Sequence, residues 1–285
     1  MLKLQTKVDL LPADVRISYD DTVTVLGSCF ADNVGARMQH AGFDVLVNPF
    51  GTLYNPVSIA KSVERLDSGE PFTLGDCVEM GAGAGLVCSF SHHTSFARPS
   101  AGEFLSVANE ALAVASDHWR RSGKVIITLG TVWCFRHLTD GEVVSNCLKR
   151  PSGEFQRERL SLDAASSILR RIVVGHPDKE FVFTVSPIRH LADGAHANTL
   201  SKSTLLLAVD ALSDSGRVDY FPSYEIMMDE LRDYRFYDED MSHPSSQAVD
   251  YIWERFCDFA LPESERHILL EKTKAYNRSR HRPLH

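Results

Sequence analysis

Short apolar runs alternate with longer segments of helical period along most of this chain, and that alternation restricts the fold more than any other feature. The strand-like runs are VTVLG (23–27), DVLVNP (44–49), KVIITLG (124–130), EFVFTVSP (180–187) and VDYFPSYEI (218–226). Between them lie ADNVGARMQHAG (31–42), NPVSIAKSVERL (55–66), a long run over 101–123, another over 161–177, and KSTLLLAVDALSDSG (202–216). Strands rich in Val, Ile and Phe, with little polar alternation, suit a sheet buried on both faces. Strands separated by helices imply crossover connections and parallel pairing. The expected fold is therefore α/β with three layers, α/β/α, around a doubly wound, mostly parallel sheet of about five strands, as in flavodoxin-like proteins. Asn55 and Pro56 read as the N-cap and first residue of a helix. Two more helices are expected over 244–261 and 263–276.

The chain has 285 residues, 44% of them hydrophobic, which is enough for one large core. The expected organisation is one domain over residues 1–262, with an insertion near 67–100, and a C-terminal helix and basic tail over 263–285. The Gly-rich stretch GAGAGLVCSFSHHTSF (81–96) belongs to that insertion and has room for a short hairpin.

A net charge of −8, with Lys and Arg clustered only in the tail NRSRHRPLH, removes the basic stripe that a nucleic-acid binder needs. The tail reads as a solvated terminus. The start of the chain lacks the apolar run of a signal peptide, and no segment has the length of a membrane span, so a cytoplasmic address is expected and a membrane is not. The six cysteines are scattered without a CxxC pair, so neither a disulfide framework nor a zinc cage is expected. No phosphate-binding glycine loop follows the first strand, and no cofactor or metal is expected.

In an open parallel sheet, ligands bind beyond the carboxyl ends of the strands. The residues placed there are Ser28 after the first strand, Asn48 to Gly51 after the second, and Gly130, Thr131 and Trp133 after the third. Ser186, Arg189 and His190 follow the fourth, and Ser223, Tyr224 and Glu225 the fifth. Ser28, at a strand-to-helix turn, suits a nucleophile whose own amide faces a developing oxyanion. It equally suits an N-cap of the following helix. Asp240 and His243 stand three residues apart before Pro244. Such a turn can set a carboxylate on Nδ1 and leave Nε2 to take a proton from a serine. It is also an ordinary acidic turn before a helix. The adjacent Cys29 is a rival nucleophile, although strand alternation favours its packing inward.

These segments, taken with GSCFA (27–31), NPFGTLYNP (48–56), SHHTSF (91–96), ITLGTVW (127–133), SPIRH (186–190) and the run 221–245, resemble the GSCFA family of the SGNH/GDSL hydrolase superfamily over roughly residues 20–260. The GxSxG elbow of the other large serine-hydrolase fold is absent. The resemblance implies that Ser28 is the nucleophile, His243 the general base and then acid, and Asp240 its orienting partner. It implies that the amides of Ser28 and Gly51 line the oxyanion hole. Superfamily members add an asparagine in a Gly-x-Asn motif after the third strand, where this chain has Val132. Either two donors suffice, or Asn146 or His190 supplies another.

Tyr54, Trp133 and one of His92 and His93 are candidates for lining the acyl or alcohol pocket. Arg189 or His190 is a candidate for contacting a polar or anionic part of the substrate. The charged run from Asp229 to Arg235 reads as a structural, ion-paired helix face, with Glu225 set apart by its place at a strand end. The leading expectation is a serine esterase that removes a small acyl group, acetyl first, from a small-molecule or carbohydrate ester. An O-acyltransferase using the same acyl-enzyme and a non-catalytic, flavodoxin-like binding module are the alternatives.

Overall fold

The computed structural model describes residues 5–83, 85–212 and 216–280. The last five residues of the expected basic tail, 281–285, lie outside the described residues, as do 1–4, position 84 of the Gly-rich stretch and 213–215 of the fifth helical run.

In chain order the elements are β1 (Thr22–Gly27), α1 (Cys29–His40), β2 (Asp44–Val47), α2 (Pro56–Ser68), β3 (Val78–Glu79), β4 (Val87–Cys88), α3 (Ala101–Arg121), β5 (Lys124–Leu129), β6 (Trp133–His137), β7 (Val143–Val144), β8 (Phe155–Arg159), α4 (Leu162–Gly175), β9 (Glu180–Val185), α5 (Ala195–Asp210), β10 (Val218–Tyr220), a helical turn α6 (Ser223–Glu225), α7 (Ser246–Ala260) and α8 (Arg266–Arg280). Five strands form one parallel sheet in the order β10-β9-β5-β1-β2. The chain winds outward in one direction through β2 and in the other through β5, β9 and β10. The switch of direction therefore falls between β1 and β5.

The side chains of the central strands explain the layers. Successive residues point to opposite faces, so Val23 and Val25 of β1, Ile126 of β5 and Val182 of β9 enter one core with Phe30, Met38, Ile252 and Phe256 from α1 and α7. Leu26, Val125, Ile127, Phe181 and Phe183 enter the other core with residues of α2, α3, α4 and α5. The sheet is thus sandwiched between helices, as a three-layer α/β/α fold. Polar residues set the helix ends: Asn55 Oδ1 accepts the Ser58 amide at 2.9 Å with Pro56 as the first residue of α2, and Ser100, Ser161 and Ser245 cap α3, α4 and α7. No helix among the described residues is long and apolar enough to cross a membrane.

Three segments differ from the sequence expectation. The fifth strand stops at Tyr220, because Pro222 has no amide to continue a ladder, and the chain turns into α6 and a π-helical turn over Ile226–Glu230. Helix α5 begins at Ala195, ahead of the periodic run at 202. Residues 133–159 form an antiparallel sheet, β7-β6-β8, whose strand β8 (FQRER) carries no apolar alternation to announce it. Strands β3 and β4 pair as a short antiparallel hairpin.

Two buried charges tie distant segments together. The Glu230 carboxylate is fully enclosed and accepts from the Val8 amide at 2.7 Å, Tyr251 OH at 2.7 Å and Arg255 at 3.1 Å, so it fastens the N-terminal segment to α7. Glu230→Ala would leave Arg255 without its counter-ion, and is expected to cost about 3–5 kcal/mol in urea unfolding. Lys202 of α5 is also buried, and its Nζ donates to the carbonyls of Gly130 and Ser186, each at 2.7 Å, bridging the carboxyl ends of β5 and β9. Burial pulls its pKa from 10.5 down to about 7. Between those values the unfolded chain binds the proton that the folded chain has lost, so this group makes stability rise with pH across that window. Relative to wild type, Lys202→Met is expected to lose up to about 1.4 kcal/mol of that rise per pH unit between pH 7 and 10, read from urea midpoints.

Candidate active site

The chain leaves β1 at Gly27 and turns directly into α1, and this turn places Ser28. Its amide donates to the Thr128 carbonyl at 3.1 Å and to Thr128 Oγ1 at 3.0 Å. Its Oγ lies 3.1 Å from Thr128 Oγ1 and accepts the Phe30 amide at 3.3 Å. Ser28 therefore caps α1, and it is only 1% exposed. It nevertheless lines a cleft of about 740 Å³ beyond the carboxyl ends of β1, β5 and β9.

Asp240 and His243 line the same cleft from the turn before α7. Met241 between them sits in the left-handed region at φ 56°, which curls the turn tightly. Asp240 Oδ1 accepts the amides of Ser242 and His243 at 2.8 and 2.9 Å, and its Oδ2 lies 2.5 Å from His243 Nδ1. The bonds from the His243 amide and ring, then the Ser242 amide, hold the Asp240 carboxyl down at about 2. The carboxylate accepts from Nδ1–H, so Nε2 is the free nitrogen. The Arg189 amide donates to the Ser242 carbonyl at 3.0 Å and ties this turn to the loop after β9. Among the described residues no hydrogen bond joins Ser28 Oγ to His243 in this conformation; the hydroxyl rests on Thr128.

Tyr54, Trp133, Asn146, Arg189 and His190 also line the cleft. Tyr54 OH contacts Cys29 Sγ at 3.3 Å and Thr52 Oγ1 at 3.2 Å, and burial pushes its pKa up to about 12, so it stays a neutral donor. Cys29 is half-buried: it packs against the core on the α1 side of the sheet and also lines the cleft. Asn146 spends its Oδ1 on the Leu148 amide at 2.8 Å, where Leu148 and Lys149 both take positive φ.

Other expected residues lie elsewhere. Gly51 does not line the cleft: its amide donates to the Asn48 carbonyl at 2.8 Å, and its bare Cα lets His93 approach, a β-carbon there standing 2.1 Å from His93 Cβ. His92 is fully buried among Phe50, Phe72, Phe96 and Phe104, with Nδ1 on Ser89 Oγ at 2.6 Å and its pKa pushed down to about 4 by burial. His93 bonds to Ser95 at the surface. Glu225 accepts from Tyr220 OH at 2.7 Å and lines a separate groove beside α5. Val132 is enclosed in the core, with its amide on Ser201 Oγ at 3.0 Å.

The sequence reading missed Thr128, which holds Ser28 through both backbone and side chain, and Arg157. The Arg157 guanidinium lies 4.2 Å from the Trp133 ring centroid and pairs with Asp193 across the cleft mouth. The only hint of Arg157 was its position in a charged run with no assigned element.

No curated protein matches the chain. Among solved structures, a protein from Streptococcus pneumonia described as a candidate platelet activating factor aligns at 12% identity over 83% of each chain, with a TM-score of 0.39. The profile of the GSCFA family matches residues 22–256, from the first residue of β1 to within α7, so that Ser28, Asp240 and His243 all fall inside it. This chain belongs to the GSCFA family.

Proposed function

We propose that the chain is a serine-dependent carboxyl-ester hydrolase of the SGNH type, acting through Ser28, His243 and Asp240 on an O-acylated small molecule or carbohydrate. The observation that carries this reading is a convergence in one cleft at the switch point of the sheet. A serine at a strand-to-helix turn shares that cleft with a histidine whose Nδ1 is held by an ionised carboxylate.

For the reaction, Ser28 Oγ leaves Thr128 and turns toward His243. Nε2 takes the hydroxyl proton as Oγ bonds to the acyl carbon, and the carbonyl π pair moves onto oxygen. Collapse expels the alcohol, which receives that proton from His243. Water then repeats the sequence on the acyl-enzyme and releases the acid. A nucleophile only 1% exposed and bounded by Cys29 and Tyr54 favours a short acyl group, acetyl first.

One observation favours a non-catalytic binding cleft instead: the Ser28 hydroxyl is already engaged by Thr128 and by the helix that it caps. The two readings separate in one experiment. A fluorophosphonate is expected to label Ser28, and Ser28→Ala and His243→Ala are each expected to abolish hydrolysis of p-nitrophenyl acetate. Absence of labelling, with turnover unchanged in both variants, would sink the esterase reading. If Cys29 were the nucleophile instead, iodoacetamide would abolish activity while Ser28→Ala would retain much of it.

Asp240→Asn should keep the turn but free the imidazole to take the wrong tautomer, lowering kcat by on the order of 10⁴. Because Asp240 stays ionised well into acid, its own protonation is expected to leave kcat/KM unaffected until the pH approaches about 2, as read from the pH–rate profile.

A further inference from the structure

The nitrogen atoms around the cleft point to one more participant. The amide of Ser28 is bonded to Thr128, the amide of Gly51 to Asn48, and Val132 is sealed in the core. Among the described residues, two side chains lining the cleft have a buried nitrogen with no partner, Trp133 Nε1 and His190 Nε2. His190 Nε2 is the one that the backbone of Gly130 places near the nucleophile. The point where a β-carbon on Gly130 would lie is 3.4 Å from Ser28 Cβ and 3.5 Å from His190 Nε2, so both side chains stand against the same face of Gly130. The Tyr54 carbonyl also stands there, but that oxygen already accepts the amides of Gly130 and Thr131 at 2.9 and 2.8 Å.

We propose that His190, as a neutral imidazole, is the side-chain donor of the oxyanion hole, with Nε2–H receiving the substrate carbonyl oxygen over Gly130. This rests on the serine-hydrolase reading. No bond to His190 forms or breaks: as Ser28 Oγ adds to the acyl carbon and the π pair moves onto oxygen, Nε2–H donates to that oxygen, while the serine proton goes to His243. Burial first, then the Lys202 charge, push the His190 pKa down to about 4, and His243 and Arg157 act in the same direction against Asp193. An imidazole that sheds its proton so readily is a poor base and remains a neutral donor when His243 becomes cationic. Its loop is held by the His190 amide on Asn198 Oδ1 at 3.0 Å. Lys202 is a positioning residue for the same corner, since it fixes the carbonyl of Gly130 on one side and that of Ser186 on the other.

The test compares wild type, His190→Ala, His190→Gln and His243→Ala in p-nitrophenyl acetate hydrolysis and in the rate of fluorophosphonate labelling. His190→Ala is expected to lower kcat about a hundredfold with KM within about threefold, the acid limb of the pH profile unmoved and Ser28 still labelled, though slowly. His190→Gln, which keeps an N–H donor, is expected to recover part of kcat. Folding of each variant is checked by its thermal midpoint, and the glutamine variant carries the test if alanine unfolds the loop. An unchanged kcat in His190→Ala, or an acid limb that disappears in that variant, overturns the assignment while leaving the esterase reading intact. Failure of the wild type to hydrolyse the ester or to label at Ser28 overturns both.

Discussion

A β-carbon on Gly27 would stand 2.1 Å from the Thr128 carbonyl oxygen, and Gly27 itself has φ 137°, a conformation that side chains rarely tolerate. Glycine at this position lets β1 and β5 stay in parallel register up to their carboxyl ends, with Gly27 beside Thr128. The Ser28 amide then falls on the Thr128 carbonyl and hydroxyl, and α1 starts at once. The position of the candidate nucleophile, the direction of α1 and the floor of the cleft all follow from this one close approach of two backbones.

Around that join, the remaining parts of the cleft come from segments far apart in the chain. The turn carrying Asp240 and His243 is closed by the carboxylate's two amide bonds and is docked to the loop after β9 through the Arg189 amide. The antiparallel sheet of β6, β7 and β8 supplies the opposite wall, where Trp133 stacks beneath Arg157, and Arg157 pairs with Asp193 on the His190 loop. Beneath them, Lys202 spans the ends of β5 and β9 without a carboxylate partner among the described residues, which is why burial lowers its pKa so far. The same clamp that steadies the cleft thus makes the fold gain stability as pH rises above about 7.

Much of the scaffold was legible because local chemistry and global packing agree. The apolar runs at 23–27, 124–130 and 180–187 became central strands buried on both faces, and Asn55–Pro56 began a helix where its capping chemistry said it would. The failures came where one signal outweighed another. The run 218–226 looked strand-like throughout, yet Pro222 ended the strand and carried Glu225 onto a helical turn facing another groove. The FQRER strand is made by edge pairing to β6 and not by burial, so no apolar period marked it. His92 was a candidate for lining the pocket, whereas Phe50, Phe72, Phe96 and Phe104 enclose it in the core.

By itself the sequence determined the α/β alternation, the turn that presents Ser28 and the Asp240–His243 pairing. Each of these is encoded within a few neighbouring residues: a β-branched run, a Gly-Ser step into a helix, and a carboxylate three positions before an imidazole. Only the tertiary structure decided which residues share the cleft. It seated His190 beside Ser28 over the bare Cα of Gly130, turned Gly51 and Val132 away from the cleft, and brought in Arg157. Those placements depend on backbone approach, strand order and core packing between segments up to a hundred or more residues apart, which no local pattern contains.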